Sequence, residues 1–196
     1  MRRLERTYSS MGFSSFRSSE LPEGFRYADG LLSSEESRAL VDEIQRLPFK
    51  AFEFHGFIGN RRVVSFGWQY DFNGGGLQEA APLPGLLEPV RDKVAKFGGL
   101  RPNDLQQVMV TEYEPGAVIG WHKDRSVFAE VLGVSLLAPC TFRFRQKDKD
   151  TWKRASIILK PRSAYLLQGA ARTSWEHSIP PMESLRYSIT FRRLVD

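Results

Sequence analysis

Apolar residues recur at helical spacing in two segments of the first half of the chain. In residues 33–47, Leu40 and Ile44 lie one helical turn apart on the same stripe. Ser33 and Glu36 have the spacing of a capping box, which satisfies backbone N–H groups in the first turn of a helix. We therefore predict a first helix over residues 33–47.

The second helical segment is residues 84–97, where Leu87, Val90 and Val94 fall on one side of a helix. The pair Gly98-Gly99 comes directly after it, and glycine after the last turn is a common C-terminal stop. We predict a second helix over residues 84–97.

The rest of the chain has β-like patterns. Residues 49–72 are aromatic and β-like, and a glycine-rich loop comes next at residues 73–76. From Gln106 onward, short apolar or alternating runs are separated by turn residues, which is typical of an antiparallel sandwich or a jelly roll. The fold class is thus α+β, mainly β, with two helices ahead of an all-β half. The predicted strands of that half are residues 107–113, 131–137, 140–145, 155–159, 164–167 and 186–194.

The first twenty residues are rich in Ser and Arg and have no apolar stripe. We expect residues 1–20 to be a disordered tail, with an organelle-targeting segment as the alternative and Met11 as a second candidate start. The sequence beyond residue 20 has no linker and no repeat. We expect a single domain over residues 21–196, with an N-terminal part to residue 105 and a β core from residue 106.

The main information in the composition is an excess of positively charged residues. Lys and Arg number 28 against 23 Asp and Glu, and the formal charge of +5 weakly favours a polyanionic partner such as nucleic acid. No apolar run is long enough to span a bilayer. Cys140 is the only cysteine, which excludes an intrachain disulfide and a multi-cysteine metal site. We expect Cys140 to be a buried strand residue and the protein to be cytoplasmic.

Three residues have the chemistry of a metal site. His122 and Asp124 are two apart, so on a strand their side chains project to the same face, and His177 lies further along the chain. Two imidazoles and one carboxylate form the facial triad of non-haem Fe(II) oxygenases, which leaves positions for a bidentate 2-oxo acid and dioxygen. The alternative for the first pair alone is a surface histidine followed by an aspartate that starts a turn.

The last predicted strand has an unusual polar face. Period two places Arg186, Ser188, Thr190 and Arg192 on one side, with Tyr187 and its apolar neighbours on the other. Two arginines that face inward need an anionic partner, and a dicarboxylate would supply one carboxylate for each guanidinium. A solvated strand face is the alternative.

Together these motifs resemble the AlkB family of Fe(II)- and 2-oxoglutarate-dependent dioxygenases. The family has the motifs HxD, H and RxNxTFR in that order. This chain matches them, in the same order, with His122-x-Asp124, His177 and residues 186–192 (RYSITFR). Residues 111–116 (TEYEPG) are similar to the family's NxYxPG segment. The match is close over the C-terminal half and loose before it. The resemblance implies a double-stranded β-helix, or jelly roll, with the two helices as supports and a nucleotide-recognition lid.

Carried over position by position, the resemblance implies a role for each motif residue. The Fe(II) ligands would be His122, Asp124 and His177. Arg192 would hold the distal carboxylate of 2-oxoglutarate together with Tyr113, and Arg186 would lie near the carboxylate chelated by iron. The hydroxyl residues of the co-substrate site would be Thr111, Ser188 and Thr190. At positions 111 and 188 a hydroxyl stands where the family has asparagine.

The implied lid over the iron is residues 54–72, where basic and aromatic side chains could hold phosphates and stack on a flipped base. Trp68 and Tyr70 are the candidates for stacking. The other candidate substrate contacts are Phe57, Arg61, Arg62, Ser126 and Gln168. The last two depart from the family, since Ser126 replaces an acidic residue and Gln168 a tryptophan of some members. For each lid aromatic, a core position in a β-hairpin is the alternative.

A second basic stretch, residues 143–154, includes Trp152 and is expected to form a β-hairpin beside the site. It could follow a nucleic-acid backbone or be an ordinary solvated hairpin.

The implied function is oxidative dealkylation of alkylated bases in DNA or RNA, with Fe(II), 2-oxoglutarate and dioxygen, and with release of succinate, carbon dioxide and formaldehyde. We expect a monomer whose partner is the nucleic acid, with no membrane and no obligate protein partner. Two alternatives stay open. One is the same chemistry on a protein side chain or small metabolite, and the other is a non-catalytic nucleic-acid-binding jelly roll.

Overall fold

The framework of the molecule is a pair of antiparallel sheets. The computed structural model describes residues 20–54, 57–71 and 73–195, so the expected tail at residues 1–19 lies outside the described part. The strands are β1 (Phe25–Ala28), β2 (Lys50–Phe54), β3 (Phe57–Phe66), β4 (Trp68–Asp71), β5 (Gly76–Glu79), β6 (Leu105–Tyr113), β7 (Ile119–His122), β8 (Phe128–Leu136), β9 (Cys140–Asp148), β10 (Thr151–Leu159), β11 (Ala164–Leu167), β12 (Glu176–Ile179) and β13 (Arg186–Leu194). The α-helices are α1 (Ser34–Ile44), α2 (Glu88–Gly98) and α3 (Gly169–Thr173).

The strand order is that of a jelly roll. The large sheet has the order β1-β11-β8-β13-β6-β3-β2, and the small sheet has the order β10-β9-β12-β7. Strands β4 and β5 form a separate hairpin. The mainly β jelly-roll prediction is confirmed. No helix in the described ranges is long and apolar enough to cross a bilayer.

Two apolar cores flank the large sheet. On one side, Tyr187, Ile189 and Phe191 of β13 belong to a core that includes residues of α1 and α2. On the other side, residues of the large sheet such as Tyr113 share a core with Phe144 of the small sheet. Because β13 is covered on both faces, its polar side chains are also buried, and a solvated strand face is excluded.

Both predicted helices form, with shifted ends. Ser33 and Glu36 make the predicted capping box, with hydrogen bonds of 2.8 and 3.1 Å. Helix α1 ends at Ile44, three residues early, because the N–H groups of Arg46 and Leu47 bond three residues back in a tighter turn. The second predicted helix begins with the 3-10 turn Gly85–Leu87 before α2, and Gly99 stops it in the left-handed region at φ 75°.

The N-terminal part of the chain contributes more sheet than its pattern indicated. Strand β1 pairs with β11, and β3 pairs with β6, so both extend the large sheet. Residues 54–72, expected as one lid, are therefore divided. Strand β3 belongs to the large sheet, and β4 lies in the separate hairpin beside β6.

Gly133 of β8 lies under the ring of Tyr165, its register partner on β11. A Cβ atom at Gly133 would lie 2.2 Å from carbon atoms of that ring. Gly133→Ala is therefore expected to lower the free energy of unfolding by about 1–3 kcal/mol in urea denaturation, as overpacking does. Gly85→Ala is the matched control, since a Cβ there meets nothing within 4 Å. Equal losses in the two variants would contradict the steric explanation.

Candidate active site

The structure brings His122, Asp124 and His177 together between the sheets. His122 at the end of β7 and His177 on β12 are register partners, and their ring centroids are 4.3 Å apart. Asp124 lies just after β7, and its Oδ2 lies 3.6 Å from Nε2 of His177. Nδ1 of His122 lies 2.9 Å from the carbonyl oxygen of Gly120. An N–H on Nδ1 would donate to that oxygen and leave the Nε2 lone pair free for a metal.

The charge states of this cluster are those that a metal site requires. Burial raises the pKa of the Asp124 carboxyl, but the Arg192 guanidinium and the two imidazoles outweigh that effect and hold the pKa at about 2. Burial lowers the pKa of His177 to about 3, although the Asp124 charge opposes this shift. Near neutral pH the site therefore presents an ionised carboxylate and a neutral imidazole, the protonation states that bind metals.

The donor atoms do not converge in a ready-made metal cage within the described residues. Oδ1 of Asp124 instead accepts a 3.2 Å hydrogen bond from Nε of Arg192. Since ligand identity, burial and charge state all suit a divalent metal, we expect binding to require only a rotation of the Asp124 carboxylate or of an imidazole.

The two arginines of β13 occupy opposite ends of the pocket, in the reverse of the expected order. Arg192 contacts Asp124, and its Nη1 donates a 2.8 Å hydrogen bond to Gln107. The Arg186 guanidinium lies 4.9 Å from the ring centroid of Tyr113, and its Nε donates to the Ser135 hydroxyl at 3.1 Å. The expected pairing of Arg192 with Tyr113 is therefore wrong, because six residues along β13 separate the metal end from the Tyr113 end.

The Tyr113 end has unpaired polar atoms. Arg186 is 1% exposed, and neither its Nη1 nor Oγ1 of Thr111 has a hydrogen-bond partner among the described residues. The Tyr113 hydroxyl lies 3.3 Å from the Ser188 hydroxyl, to which it is hydrogen-bonded, and Thr190 is next on the same face. A buried guanidinium without a full set of acceptors is costly, and a carboxylate supplies the missing acceptors. The residues therefore fit the distal carboxylate of 2-oxoglutarate.

Three contributors to the site carried no sequence motif: Gln107, Ser135 and Arg172. Gln107 and Ser135 accept hydrogen bonds from the two β13 arginines. The sequence signal that could have identified these two residues is a polar side chain inside an otherwise apolar strand. Arg172 of α3 donates through Nη2 to the carbonyl oxygens of Arg125 and Phe128. Because Arg125 directly follows Asp124 and Phe128 begins β8, Arg172 ties the loop that carries the carboxylate to the start of β8.

Three of the expected substrate contacts lie at the edge of this pocket. Tyr70 of β4 is half-buried, and its ring centroid lies 5.1 Å from the guanidinium of Arg125, the residue after Asp124. Trp68 is half-buried in the same hairpin. Arg61 is the register partner of Tyr113, and its Nη1 donates to the carbonyl oxygen of Val118 at 3.0 Å. Contact of these three residues with a substrate stays a prediction.

Arg62 does not face the pocket, which corrects its assignment as a substrate contact. Alternation along β3 turns it to the opposite face, where its Nε lies 2.6 Å from Oε1 of Glu112. Glu112 also accepts a 2.9 Å hydrogen bond from the Tyr187 hydroxyl. Arg62 thus belongs to an ion pair beside the helix-covered core.

The remaining three candidates stay predictions. The side chain of Phe57 lies outside the described part of the chain. Ser126 is exposed in the loop after Asp124, and Gln168 is half-buried at the start of α3.

The Glu112 cluster makes a pH-dependent contribution to stability. Burial raises the pKa of its carboxyl, but the hydrogen bonds from Arg62 and Tyr187 outweigh that effect and hold the pKa below the ordinary value of 4.5. A carboxyl with a lowered folded-state pKa stabilises the fold above its unfolded-state pKa, and this contribution is lost on acidification. Glu112→Gln should therefore cost about 1–2 kcal/mol near neutral pH, mainly through the Tyr187 bond, since Arg62 is 53% exposed. Urea denaturation at a pH below 4.5 should show a smaller difference, and a constant difference would contradict the assignment.

Comparison with known proteins agrees with this geometry. A family model described as the 2OG-Fe(II) oxygenase superfamily matches residues 24–192. The tRNA (carboxymethyluridine(34)-5-O)-methyltransferase ALKBH8 of Mus musculus is 28% identical over 168 residues, which cover 82% of this chain and 25% of that protein. The alkylated DNA repair protein ALKBH8 homolog of Arabidopsis thaliana is 29% identical over 147 residues, which cover 63% and 42%. The structure of OsALKBH1 superposes with a TM-score of 0.71 at 15% identity, over 89% of this chain and 98% of that one.

The chain spans about a quarter of the mouse relative and less than half of the plant one. The likeness to OsALKBH1 supports the jelly-roll fold, and the family model covers both sheets and all three candidate metal ligands. Members of that family use Fe(II), 2-oxoglutarate and dioxygen. The chain therefore belongs to the 2OG-Fe(II) oxygenase superfamily, as an AlkB-like dioxygenase.

Proposed function

We propose that the protein is an oxidative dealkylase of alkylated nucleobases in DNA or RNA, which releases succinate, carbon dioxide and formaldehyde. The observation that carries the proposal is the inward face of β13 and β6. At one end of the pocket this face meets the two imidazoles and the carboxylate of the small-sheet side, and at the other end it carries buried Arg186, whose Nη1 has no hydrogen-bond partner among the described residues.

At the metal end, His122, Asp124 and His177 would hold Fe(II). Arg192, fixed by Gln107, would orient the Asp124 carboxylate and lie near the co-substrate carboxylate closest to iron. Bound iron with 2-oxoglutarate and dioxygen supplies the oxidation of the alkyl carbon, which amino-acid side chains cannot perform.

At the other end, Arg186 would bind the distal carboxylate of 2-oxoglutarate. Nη1 of Arg186 and the Thr111 hydroxyl are the groups with unused hydrogen-bonding capacity there, and Tyr113 can also donate. The two arginines thus take the reverse of the roles that the family resemblance suggested.

The proposed substrate rests on the mouth of the pocket and on charge. Tyr70 provides aromatic surface beside Arg125, with Trp68 on the same strand, a combination that can stack on a base and hold a phosphate. The formal charge of +5 suits a polyanion. The names of the two relatives, a tRNA methyltransferase and an alkylated DNA repair protein, point to the same class of substrate.

The test supplies purified protein with Fe(II), 2-oxoglutarate and single-stranded oligonucleotides that each carry one methylated or etheno base. Succinate and the released aldehyde, which is formaldehyde from a methyl group and glyoxal from an etheno bridge, are measured together with restoration of the base by mass spectrometry. Unmodified oligonucleotides of the same sequence are the control. Base restoration that matches succinate formation would support the proposal.

Two other outcomes would overturn it in different ways. Iron-dependent succinate formation without a change in any base would keep the oxygenase and favour a protein side chain or a metabolite as substrate. Oligonucleotide binding without iron-dependent succinate formation would favour a non-catalytic binding protein.

A further inference from the structure

The outer face of the small sheet carries arginines and tryptophans that the catalytic pocket does not use. We call it the Arg–Trp face, and its residues are Trp121 of β7, Arg143, Arg145 and Lys147 of β9, and Trp152 and Arg154 of β10. His122 and His177 face inward, so their neighbours Trp121 and Glu176 face outward. Arg145 is the register partner of both Glu176 and Arg154, which places all three on this outer face.

Arg145 is held rigidly on this face. Its guanidinium lies 4.6 Å from the Trp121 ring centroid and 4.4 Å from the Trp152 ring centroid, so two indoles enclose it. Its Nε donates a 2.5 Å hydrogen bond to Oε2 of Glu176. Its two terminal nitrogens have no hydrogen-bond partner in the described part of the chain, and the side chain is 24% exposed.

Arg143 is anchored in the same way. Its guanidinium lies 5.1 Å from the centroid of Trp121, and its Nε donates to the Ser178 hydroxyl at 3.0 Å. Its terminal nitrogens also lack a partner within the described ranges. Each arginine is thus oriented through Nε and through stacking, while the donors that bind an oxyanion in a bidentate manner are unused.

The charge of the Arg–Trp face is positive. Arg143, Arg145, Lys147 and Arg154 are opposed on it by one carboxylate, Glu176, which Arg145 already pairs with. At the hairpin turn, two further lysines are offset by Asp148 and Asp150, and Lys153 lies 3.1 Å from Asp148. The positive charge therefore lies in a band across β9 and β10 rather than at the turn.

The Arg–Trp face meets the catalytic pocket at one edge of the sheet. Strand β7 is the edge strand, and its consecutive residues Trp121 and His122 project to the two opposite faces. A flexible chain that leaves the pocket over this edge reaches Trp121 first and then the arginines. From β7 to β10 the four strands span about 14 Å, a length of a few nucleotides.

We propose that the Arg–Trp face binds the phosphodiester backbone of a single-stranded nucleic acid, next to the nucleotide that occupies the pocket. This inference rests on the proposed function and specifies its substrate as single-stranded. Fixed guanidinium groups suit phosphates, and because arginines occupy the indole faces, the contact is to the backbone and independent of base sequence. A single strand can bend around the β7 edge, whereas a duplex is too stiff to do so without cost.

The test uses the double variant Arg143→Gln/Arg154→Gln, which leaves the enclosed Arg145 and the whole pocket in place. Binding of a short, unmodified, fluorescently labelled single-stranded RNA is measured by anisotropy between about 50 and 200 mM salt. Loss of two phosphate contacts should weaken binding about tenfold at the lowest salt. It should also reduce the slope of log affinity against log salt by about 1.4.

The matched control is Arg38→Gln on α1 combined with Arg46→Gln just after it, which removes the same charge from the helix side of the large sheet. It should change the affinity by less than about twofold, because salt screens distant charges. In the dealkylation assay, Arg143→Gln/Arg154→Gln should raise KM for a modified oligonucleotide and leave kcat unchanged. Both constants should stay unchanged for the modified nucleoside alone, which has no phosphodiester to reach the face.

The outcomes separate this inference from the proposed function. If the wild-type protein binds no oligonucleotide at low salt, the nucleic-acid function itself is wrong. If it binds and the Arg143→Gln/Arg154→Gln variant binds equally well with the same salt slope, only the assignment of this face is wrong. Equal binding of duplex RNA would overturn the single-strand assignment. Displacement of the RNA by poly-glutamate at equal charge would indicate an acidic protein segment as the partner instead.

Discussion

Replacement of His177 by Ala is expected to weaken Fe(II) binding by more than about a hundredfold and to abolish succinate formation. His177 supplies one of two imidazoles in the cluster, and its low pKa keeps the nitrogen lone pair available. Loss of a residue that only supports a metal ligand already costs about 10- to 100-fold in affinity, so loss of a ligand costs more. Anaerobic Fe(II) titration and a succinate assay measure the two effects.

The neighbouring residue provides the control for this variant. Ser178 lies on the same strand and is also buried, but its hydroxyl faces outward and accepts the hydrogen bond from Arg143. Ser178→Ala should therefore leave Fe(II) affinity within about twofold of the wild type, since a change outside the ligand set and its supports has a small effect. Retained turnover in His177→Ala would rule out the proposed ligand set.

Replacement of Arg186 by Met is expected to weaken 2-oxoglutarate binding strongly without destabilising the protein. The loss of one partner of a buried charge pair costs about 2–5 kcal/mol, or about 30- to 5000-fold in affinity. Without the co-substrate, however, Arg186 is a buried cation that donates to Ser135 and whose Nη1 has no partner within the described ranges. A methionine of similar length removes that desolvation cost, so the free energy of unfolding should stay the same or rise. Thermal denaturation with and without 2-oxoglutarate measures both quantities.

Two further variants test where Arg186 acts. Arg193→Met changes a nearby arginine at the end of β13, whose Nε lies 2.6 Å from Glu130, and should leave 2-oxoglutarate affinity unchanged. The preference for 2-oxoglutarate over 2-oxobutyrate, which lacks the distal carboxylate, should be lost in Arg186→Met and kept in Arg192→Met. The opposite result would return the distal carboxylate to Arg192, as the family resemblance first suggested.

Much of the architecture could be predicted from local patterns in the sequence. The capping box at Ser33 and Glu36 predicted the start of α1, because a capping box depends only on residues within one turn. Alternation along β13 predicted which four polar residues share a face, because side-chain direction in a strand has a strict period of two. The spacing of His122 and Asp124 predicted a shared strand face, but β7 ends at His122, so the loop after β7 and not strand alternation places the Asp124 carboxylate beside His177.

Other features depend on partners far away in the chain. Strand β1 was not predicted, because its four residues are defined by pairing with β11 rather than by a pattern of their own. Residues 54–72 looked like one aromatic segment, yet pairing with β6 takes β3 into the large sheet and leaves β4 in a hairpin. Arg61 and Arg62 point to opposite faces because they are consecutive on a strand, and only the register with Tyr113 and Glu112 decides which of them faces the pocket.

The sequence by itself determined the fold class, the two helices, the candidate metal ligands and the polar face of β13. All of these rest on short-range periodicity or on the order of motifs along the chain. Only the tertiary structure decided that Arg192 lies at the metal end and Arg186 at the Tyr113 end, and that Trp121 and Trp152 enclose Arg145. The physical reason is that a strand pattern specifies which face a side chain occupies, whereas strand pairing and sheet packing specify what that face meets.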